Sequence, residues 1–291
     1  MSWRVVAITQ RSKLDYKLGC LVVRSGEEEK RIHLGDIAVL MCETTAVSLT
    51  AYLLAELTAR QIKVIFCDHK HNPTAELIPY YGSFDTSSKI REQITWSEEI
   101  KAYVWQEIIK AKIRRQAMVL EKLKHQSKAT QLLAYADEVQ PADVSNREGH
   151  AAKVYFNTLF DKHFSRESDN VINAVLDYGY TVLLSCFNRS IVASGYLTQL
   201  GIWHRNVENP FNFGSDLMES FRPLVDYLAA TCHWETFGKD EKITVLDLLN
   251  AQVGIAESKQ YVSNAIDIYV HSIFRALNSG EMSKIQNWYE L

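Results

Sequence analysis

The hydrophobic period of this 291-residue chain changes once, and the change constrains the fold more than any other feature. Over roughly the first 80 residues the pattern is that of strands. "WRVVAI" and "LGCLVVR" are short, β-branched and apolar, and "SGEEEK" follows the second as a charged turn. "KRIHLGDIAVLMCE" alternates and then runs apolar, and "KVIFCD" supplies another strand. One helix interrupts: "SLTAYLLAELTARQ" places Leu49, Leu53 and Leu57 at i, i+4 and i+8. The stretch "HKHNPTAELIPYYGSFDTS", with two prolines and a glycine, reads as a linker. From Ser87 onward the period is helical. "EEIKAYVWQEIIKAKIRRQAMVLEKLKHQ" carries Ile100, Val104, Ile108, Ile109 and Ile113 on one stripe. "DNVINAVLDYGYTVLLSCFNRSIVASG" is more apolar and belongs at the centre of the helical core, and the tail from "KITVLDLLN" to "SIFRALNSGEM" adds further helices. The expected fold is α+β: a small β-rich N-terminal domain over 1–74, a linker over 75–90 and a larger all-α domain over 91–291.

Composition narrows the functional class. With 47% hydrophobic and 23% charged residues the chain is of ordinary globular type, with no internal repeat and no apolar run approaching the ~18 residues of a membrane span. The N-terminus lacks a signal-peptide pattern. Five scattered cysteines without a CxxC argue against a disulfide framework or a thiolate zinc site, and a reducing cytoplasm is the expected setting. The net charge of −3 hides a local bias: eight Lys or Arg against two acids between Lys101 and Lys128. That helix, Arg114 and Arg115 included, is a candidate phosphate track, its alternative being a solvated face.

Three places carry residue types suited to chemistry. In "SNREGHAAKVYF", Glu148 opens a helix, and Ser145 three residues earlier makes a capping-box pattern that explains the acid without function. Gly149 in that first turn costs about 1 kcal/mol relative to alanine, and the small residues at 149, 151 and 152 let another backbone or a ligand approach. His204 stands in "GIWHRN", beyond a long apolar helix. Asp216 and Glu219 are three apart at what reads as a helix start, where capping again competes with a functional role, and Pro223 is expected to kink the continuing helix. Two acids and an imidazole suit a hard divalent ion such as Mg²⁺ or Mn²⁺. Arg205 and Arg222 lie beside them and could neutralise phosphate oxygens; Lys153, about a turn beyond Glu148, is a further candidate.

These phrases, "REGHAAKVYF" and "HR…NPFNFGSDLMESFRPLVD" after a β-rich first third, resemble the CRISPR-associated spacer-acquisition integrase, the universal adaptation protein of the Cas set. The likeness covers essentially the whole chain, and "GDIAVLMCE", "VSLTAYLLAELTARQIKVIFCD" and "NPTAELIPYYGS" look like the version that accompanies type II systems. Carried over by position, the resemblance makes Glu148, His204 and Glu219 the metal-binding and catalytic residues, with Asp216 an accessory acid one turn before. Many relatives have Asp where this chain has Glu219, whose longer side chain still reaches a metal.

The resemblance further implies a β-sandwich-like N-terminal domain that forms a homodimer and a helical catalytic domain. Two such dimers would flank a dimer of a small ferredoxin-like second Cas protein in a hetero-hexamer, with the large effector nuclease of type II systems a further candidate partner. The expected substrates are a short donor DNA duplex and the CRISPR repeat, joined by transesterification. Rival readings are a metal-dependent nuclease without integration, a non-catalytic DNA-binding scaffold, and an all-α enzyme holding Mg²⁺-diphosphate on a DxxE motif.

Overall fold

The computed structural model describes residues 4–69, 73–80 and 85–290. Strands β1 (Arg4–Ile8), β2 (Ser12–Lys17), β3 (Cys20–Ser25), β4 (Glu28–His33), β5 (Ile37–Cys42), β6 (Val47–Leu49), β7 (Lys63–Cys67) and β8 (Pro73–Leu77) form two four-stranded sheets. Helix α1 (Ala51–Ala59) links β6 to β7 and is capped by Thr50, whose hydroxyl accepts from the Leu53 N–H. One sheet has the order β1-β5-β7-β8, parallel except for β8. The other is β4-β3-β2-β6, an antiparallel meander with β6 added parallel to β2. Between β2 and β3 the turn residues Leu18 and Gly19 both have positive φ, the conformation that matches the twist of a two-residue hairpin.

Strand β5 explains why "IAVLMC" is an unbroken apolar run. Every one of its residues is buried, because both of its faces are covered. Ile37, Leu40 and Cys42 join Leu14, Leu21, Leu53, Leu57 and Val64 in the core shared by the two sheets and α1. Ala38, Val39 and Met41 belong instead to the core of the helical lobe. Ile65 and Cys67 of β7 join them, and Val5 and Ala7 of β1 pack against the same core, so the β-sandwich-like domain is fused to the helices through this sheet.

The helical lobe comprises α2 (Thr86–Thr95), α3 (Glu98–Lys122), α4 (Gln126–Asp137), α5 (Arg147–Leu159), α6 (Val171–Ala193), α7 (Asn212–Met218), α8 (Arg222–Thr231), α9 (Lys239–Asp247) and α10 (Val262–Ser279). Helix α6 runs through the core as its apolar sequence predicts, burying Val175, Leu176, Leu183, Phe187 and Ile191. A Cβ at Gly179 would run into Val225, so this glycine lets α6 and α8 close on each other. Among the described residues no helix is long and apolar enough to cross a membrane.

Four expectations need correction. The linker is shorter than 75–90: β8 occupies residues 73–77 and α2 begins at Thr86, while residues 81–84 lie outside the described part. The larger lobe is not all helical, since β9 (Gln252–Ile255) and β10 (Ser258–Tyr261) pair as an antiparallel hairpin around Ala256 and Glu257, both at positive φ. Its strands have four residues each, too few for a period to show. The segment with Asp216 and Glu219 is not one kinked helix: α7 starts earlier, at Asn212, a 3₁₀ turn spans Glu219–Phe221, and Pro223 sits in the first turn of α8, where its missing N–H costs nothing.

The fourth concerns the basic stretch. Helix α3 is a core helix, burying Val104, Trp105, Ile108, Ile109, Ile113 and Ala117. Lys101 and Lys110 pair with Glu98 and Glu107 along the helix, and Lys112 and Arg115 turn inward. A count of charges there does not describe a phosphate-facing surface.

Candidate active site

Glu148 owes its position to a helix start that does not use it. Helix α5 is capped by Asn146, which adopts the left-handed conformation and accepts from the Gly149 N–H at 3.2 Å. Asp143 accepts from the N–H groups of Arg147 and Glu148 at 2.8 and 3.0 Å. Ser145, the residue expected to cap, has a buried hydroxyl with no hydrogen-bond partner. Gly149 is explained by the same cap, since a Cβ there would stand 2.7 Å from Asn146 Oδ1. With these donors satisfied, the Glu148 carboxylate is left free to point elsewhere.

It points at Lys112. The ammonium of this α3 residue donates to Glu148 Oε1 at 2.5 Å and to Glu219 Oε2 at 2.6 Å. Glu219, on the 3₁₀ turn between α7 and α8, is 4% exposed, and its second oxygen lies 3.0 Å from Arg222 Nε. Arg222 packs over the Tyr180 ring, whose hydroxyl donates to buried Asp226. Two acids 71 positions apart in number thereby share one cation.

Asp216 does different work. It is wholly buried in α7, and its carboxylate gathers the loop before it. Oδ2 accepts from the N–H groups of Ile202 and Trp203 at 2.7 and 3.0 Å, and Oδ1 from the His204 N–H at 3.0 Å. Oδ1 also lies 2.5 Å from His204 Nδ1. A Cβ at Gly201 would stand 2.7 Å from Asp216 Oδ2, so only glycine allows the wrap. The carboxylate claims the Nδ1 proton and leaves Nε2 with its lone pair, the arrangement found where a histidine binds a metal. Buried Trp105 fixes the ring's other boundary, edge to face with His204 and stacked parallel on Trp203.

The charges agree with this division. The His204 imidazole is held above its ordinary pKa, first by the Asp216 hydrogen bond, against burial, with the charges of Glu219 and Glu148 adding to the rise. For Glu219, burial pushes the carboxyl up, but Lys112 and Arg222 together outweigh it and keep it ionised. For Lys112, burial favours the neutral amine, and Glu219 with Glu148 outweighs that. Among the described residues no three His, Cys, Asp or Glu side chains close around a common point; Lys112 fills the gap between two of them. Two carboxylates and an imidazole with a free Nε2 are nevertheless a donor set that fits a hard divalent ion, and the ammonium between the acids marks a position that accepts a cation.

The remaining sequence candidates separate. Arg115 is not available to DNA: it is buried, its guanidinium lies over the Trp288 ring and it donates to the Trp288 carbonyl. Trp288 in turn donates from Nε1 to the Ser220 carbonyl at 2.9 Å, so the C-terminal segment props the turn that carries Glu219. Arg114 is half exposed and pairs with Asp137 at 3.1 Å. Arg205 is exposed and pairs with Glu98, and Lys153 is exposed on α5. An open cavity of about 760 Å³, lined by His204, Arg205, Asn206, Asn209 and Lys101, borders the imidazole. Sequence reasoning missed Lys112 and Trp105. A lysine four residues after Ile108 and next to Ile113 interrupts a buried stripe, and that was the signal available.

Residues 5–236 match the family model described as CRISPR associated protein Cas1. The CRISPR-associated endonuclease Cas1 of Neisseria meningitidis serogroup C (strain 8013) is 34% identical over 226 residues, 78% of this chain and 74% of that protein. Among solved structures, a casposase bound to integration product superposes with a TM-score of 0.76 at 17% identity, over 97% of this chain and 92% of the other. A Cas6-RT-Cas1--Cas2 complex matches with a TM-score of 0.73 at 17% identity, over 99% of this chain and 36% of that longer one. At these identities the two structures show a shared fold. The extent of the family match and the relation to the Neisseria protein show that the chain belongs to the Cas1 family of CRISPR-associated proteins.

Proposed function

We propose that this protein is a metal-dependent DNA integrase and endonuclease of CRISPR adaptation, inserting short DNA duplexes into a repeat array by transesterification. Family membership supports the CRISPR setting, and the endonuclease name of the Neisseria relative supports phosphodiester chemistry. The fold shared with a casposase bound to integration product supports strand transfer. The observation that carries the proposal is the meeting of Glu148 and Glu219, from α5 and the α7–α8 turn, on one cation position next to an imidazole held by Asp216.

In this reading Glu148, Glu219 and His204 Nε2 hold Mg²⁺ or Mn²⁺. The chemistry supplied by the bound ion is Lewis-acid polarisation of a phosphoryl oxygen and a lowered pKa of the attacking hydroxyl. Asp216 keeps His204 in the tautomer that can bind. Arg222, held between Glu219 and the Tyr180 ring, and exposed Arg205 at the cavity mouth neutralise phosphate charge. A donor 3′-oxygen forms a new P–O bond as the bond to the repeat's 3′-oxygen breaks; the attacking hydroxyl loses a proton and the leaving oxygen gains one. One phosphodiester replaces another, so no ATP is consumed. Water in place of the 3′-hydroxyl gives hydrolysis at the same residues, the reading favoured by the relative's endonuclease name. The partners we propose are a second copy of the chain, through the β-sandwich-like domain, and a Cas2 protein, the latter supported by the fold shared with a Cas1–Cas2 complex.

The test is integration of a short donor duplex into a supercoiled repeat plasmid, with and without Cas2, under Mg²⁺, Mn²⁺ or chelator. Joined product that needs the metal and disappears in Glu148→Ala and His204→Ala is expected. Metal-dependent cutting without joined product would leave only the nuclease, and full activity in chelator would refute the metal centre.

A further inference from the structure

Lys112 belongs to none of the sequence phrases that point to the site, yet it is the residue that joins the acids at 148 and 219. It comes from the middle of α3, between buried Ile108 and Ile113, and is itself 9% exposed. Its ammonium bridges Glu148 and Glu219 at 2.5 and 2.6 Å. Two carboxylates that share one ammonium, Glu219 buried and Glu148 about a third exposed, repel each other unless a cation stands between them. As arranged, the charges of Glu148 and Glu219 are balanced by those of Lys112 and Arg222. A divalent ion added to those four groups without any departure would bring their sum to two positive charges.

Resting on the metal reading above, we infer that Lys112 is a built-in competitor of the divalent ion: its ammonium occupies the Glu148–Glu219 gap in the metal-free protein and leaves it when the ion binds. The lysine keeps the two acids together in the empty site, and so preorganises the cup it later vacates. A displaced ammonium at this depth needs another anion, and the DNA phosphodiester is the one that arrives. Metal and DNA should therefore bind cooperatively through Lys112, each raising the other's affinity by the same factor.

The experiment measures Mn²⁺ affinity by calorimetry or electron paramagnetic resonance in wild type, Lys112→Met, Lys112→Arg and Glu148→Gln. Removing the competitor is expected to tighten Mn²⁺ binding in Lys112→Met by about tenfold. The arginine variant should bind no more tightly than wild type, and added DNA should tighten Mn²⁺ binding in wild type more than in Lys112→Met. An equal or weaker Kd in Lys112→Met, while Glu148→Gln still weakens binding, overturns the role of Lys112 and leaves the metal reading standing. Absence of binding in wild type, or binding indifferent to Glu148→Gln, overturns both. Since Lys112→Met leaves two acids facing each other, a wild-type measurement guards against misfolding. Labelling by an amine-directed reagent, read by mass spectrometry, should be faster at Lys112 in Mg²⁺ than in chelator, and an unchanged rate counts against displacement.

Discussion

Asp216→Asn changes one atom of a buried side chain without changing its shape, and the consequences can be worked out from four hydrogen bonds. Oδ2 accepts from two backbone N–H groups; Oδ1 accepts from a third and faces the His204 ring at Nδ1. With its NH₂ in the Oδ2 place the amide faces two N–H donors; in the Oδ1 place it faces only the His204 N–H, because the ring can carry its proton on Nε2 and accept at Nδ1. Hydrogen bonds to a charged group contribute about 1.5–3 kcal/mol each, so the loss of one in the better orientation should cost about 1.5–3 kcal/mol. That cost falls on global unfolding or on opening of the loop at Ile202–His204, whichever is cheaper. Urea unfolding measures the first, and hydrogen exchange at the Ile202, Trp203 and His204 amides the second. An NMR titration reads the site directly: the His204 pKa should fall back toward its ordinary range, because its largest raising influence is the Asp216 hydrogen bond. A variant within about 1 kcal/mol of wild type, with those amides protected and the titration unmoved, would refute the clamp.

Ser145→Ala should leave stability within about 0.5 kcal/mol, since its hydroxyl is unpartnered, whereas Asn146→Ala should cost about 1 kcal/mol in denaturant unfolding. With the imidazole pKa raised, protonation that blocks metal binding begins at a higher pH than for a free histidine, so strand transfer should fall as pH drops through that raised range. The stability sign is opposite: the protonated His204–Asp216 pair contributes fully below the unfolded-state pKa, and its contribution is lost as pH rises through the folded one. Burial lifts Asp226 to about 6 from 3.8, against the hydrogen bond of Tyr180, so the folded state loses stability as pH rises across that window. The loss approaches about 3 kcal/mol above it, and Asp226→Asn should abolish this part of the pH dependence when unfolding is compared near pH 4 and pH 7.

The long elements were legible because each repeats its period many times. Helix α6 and the stripe on α3 could hardly be read otherwise, and β5 announced its two covered faces by being apolar throughout. The hairpin of β9 and β10 was lost among helices because four residues per strand carry no usable alternation. The acids at 148 and 219 were legible as residue types in motifs, but the local grammar around them misled. Ser145 had the spacing of a cap, and Asn146 with Asp143 took the task. The role of Lys112 was hidden for a different reason: its break in a buried stripe marks it as unusual, but its partners lie 36 and 107 positions away, and nothing local marks a lysine as the counter-charge of a distant pair. The same blindness made α3 look like a basic track, because charge was counted without asking which way each side chain faces.

The prop that Trp288 gives to the Ser220 carbonyl has a consequence in time as well as space. The two residues are 68 positions apart, so at ordinary synthesis rates of about 5–20 residues per second the tryptophan emerges about 3–14 s after its acceptor. During that interval a growing polypeptide holds Glu219 without its brace, so the turn that carries this acid is completed only once residue 288 has been made.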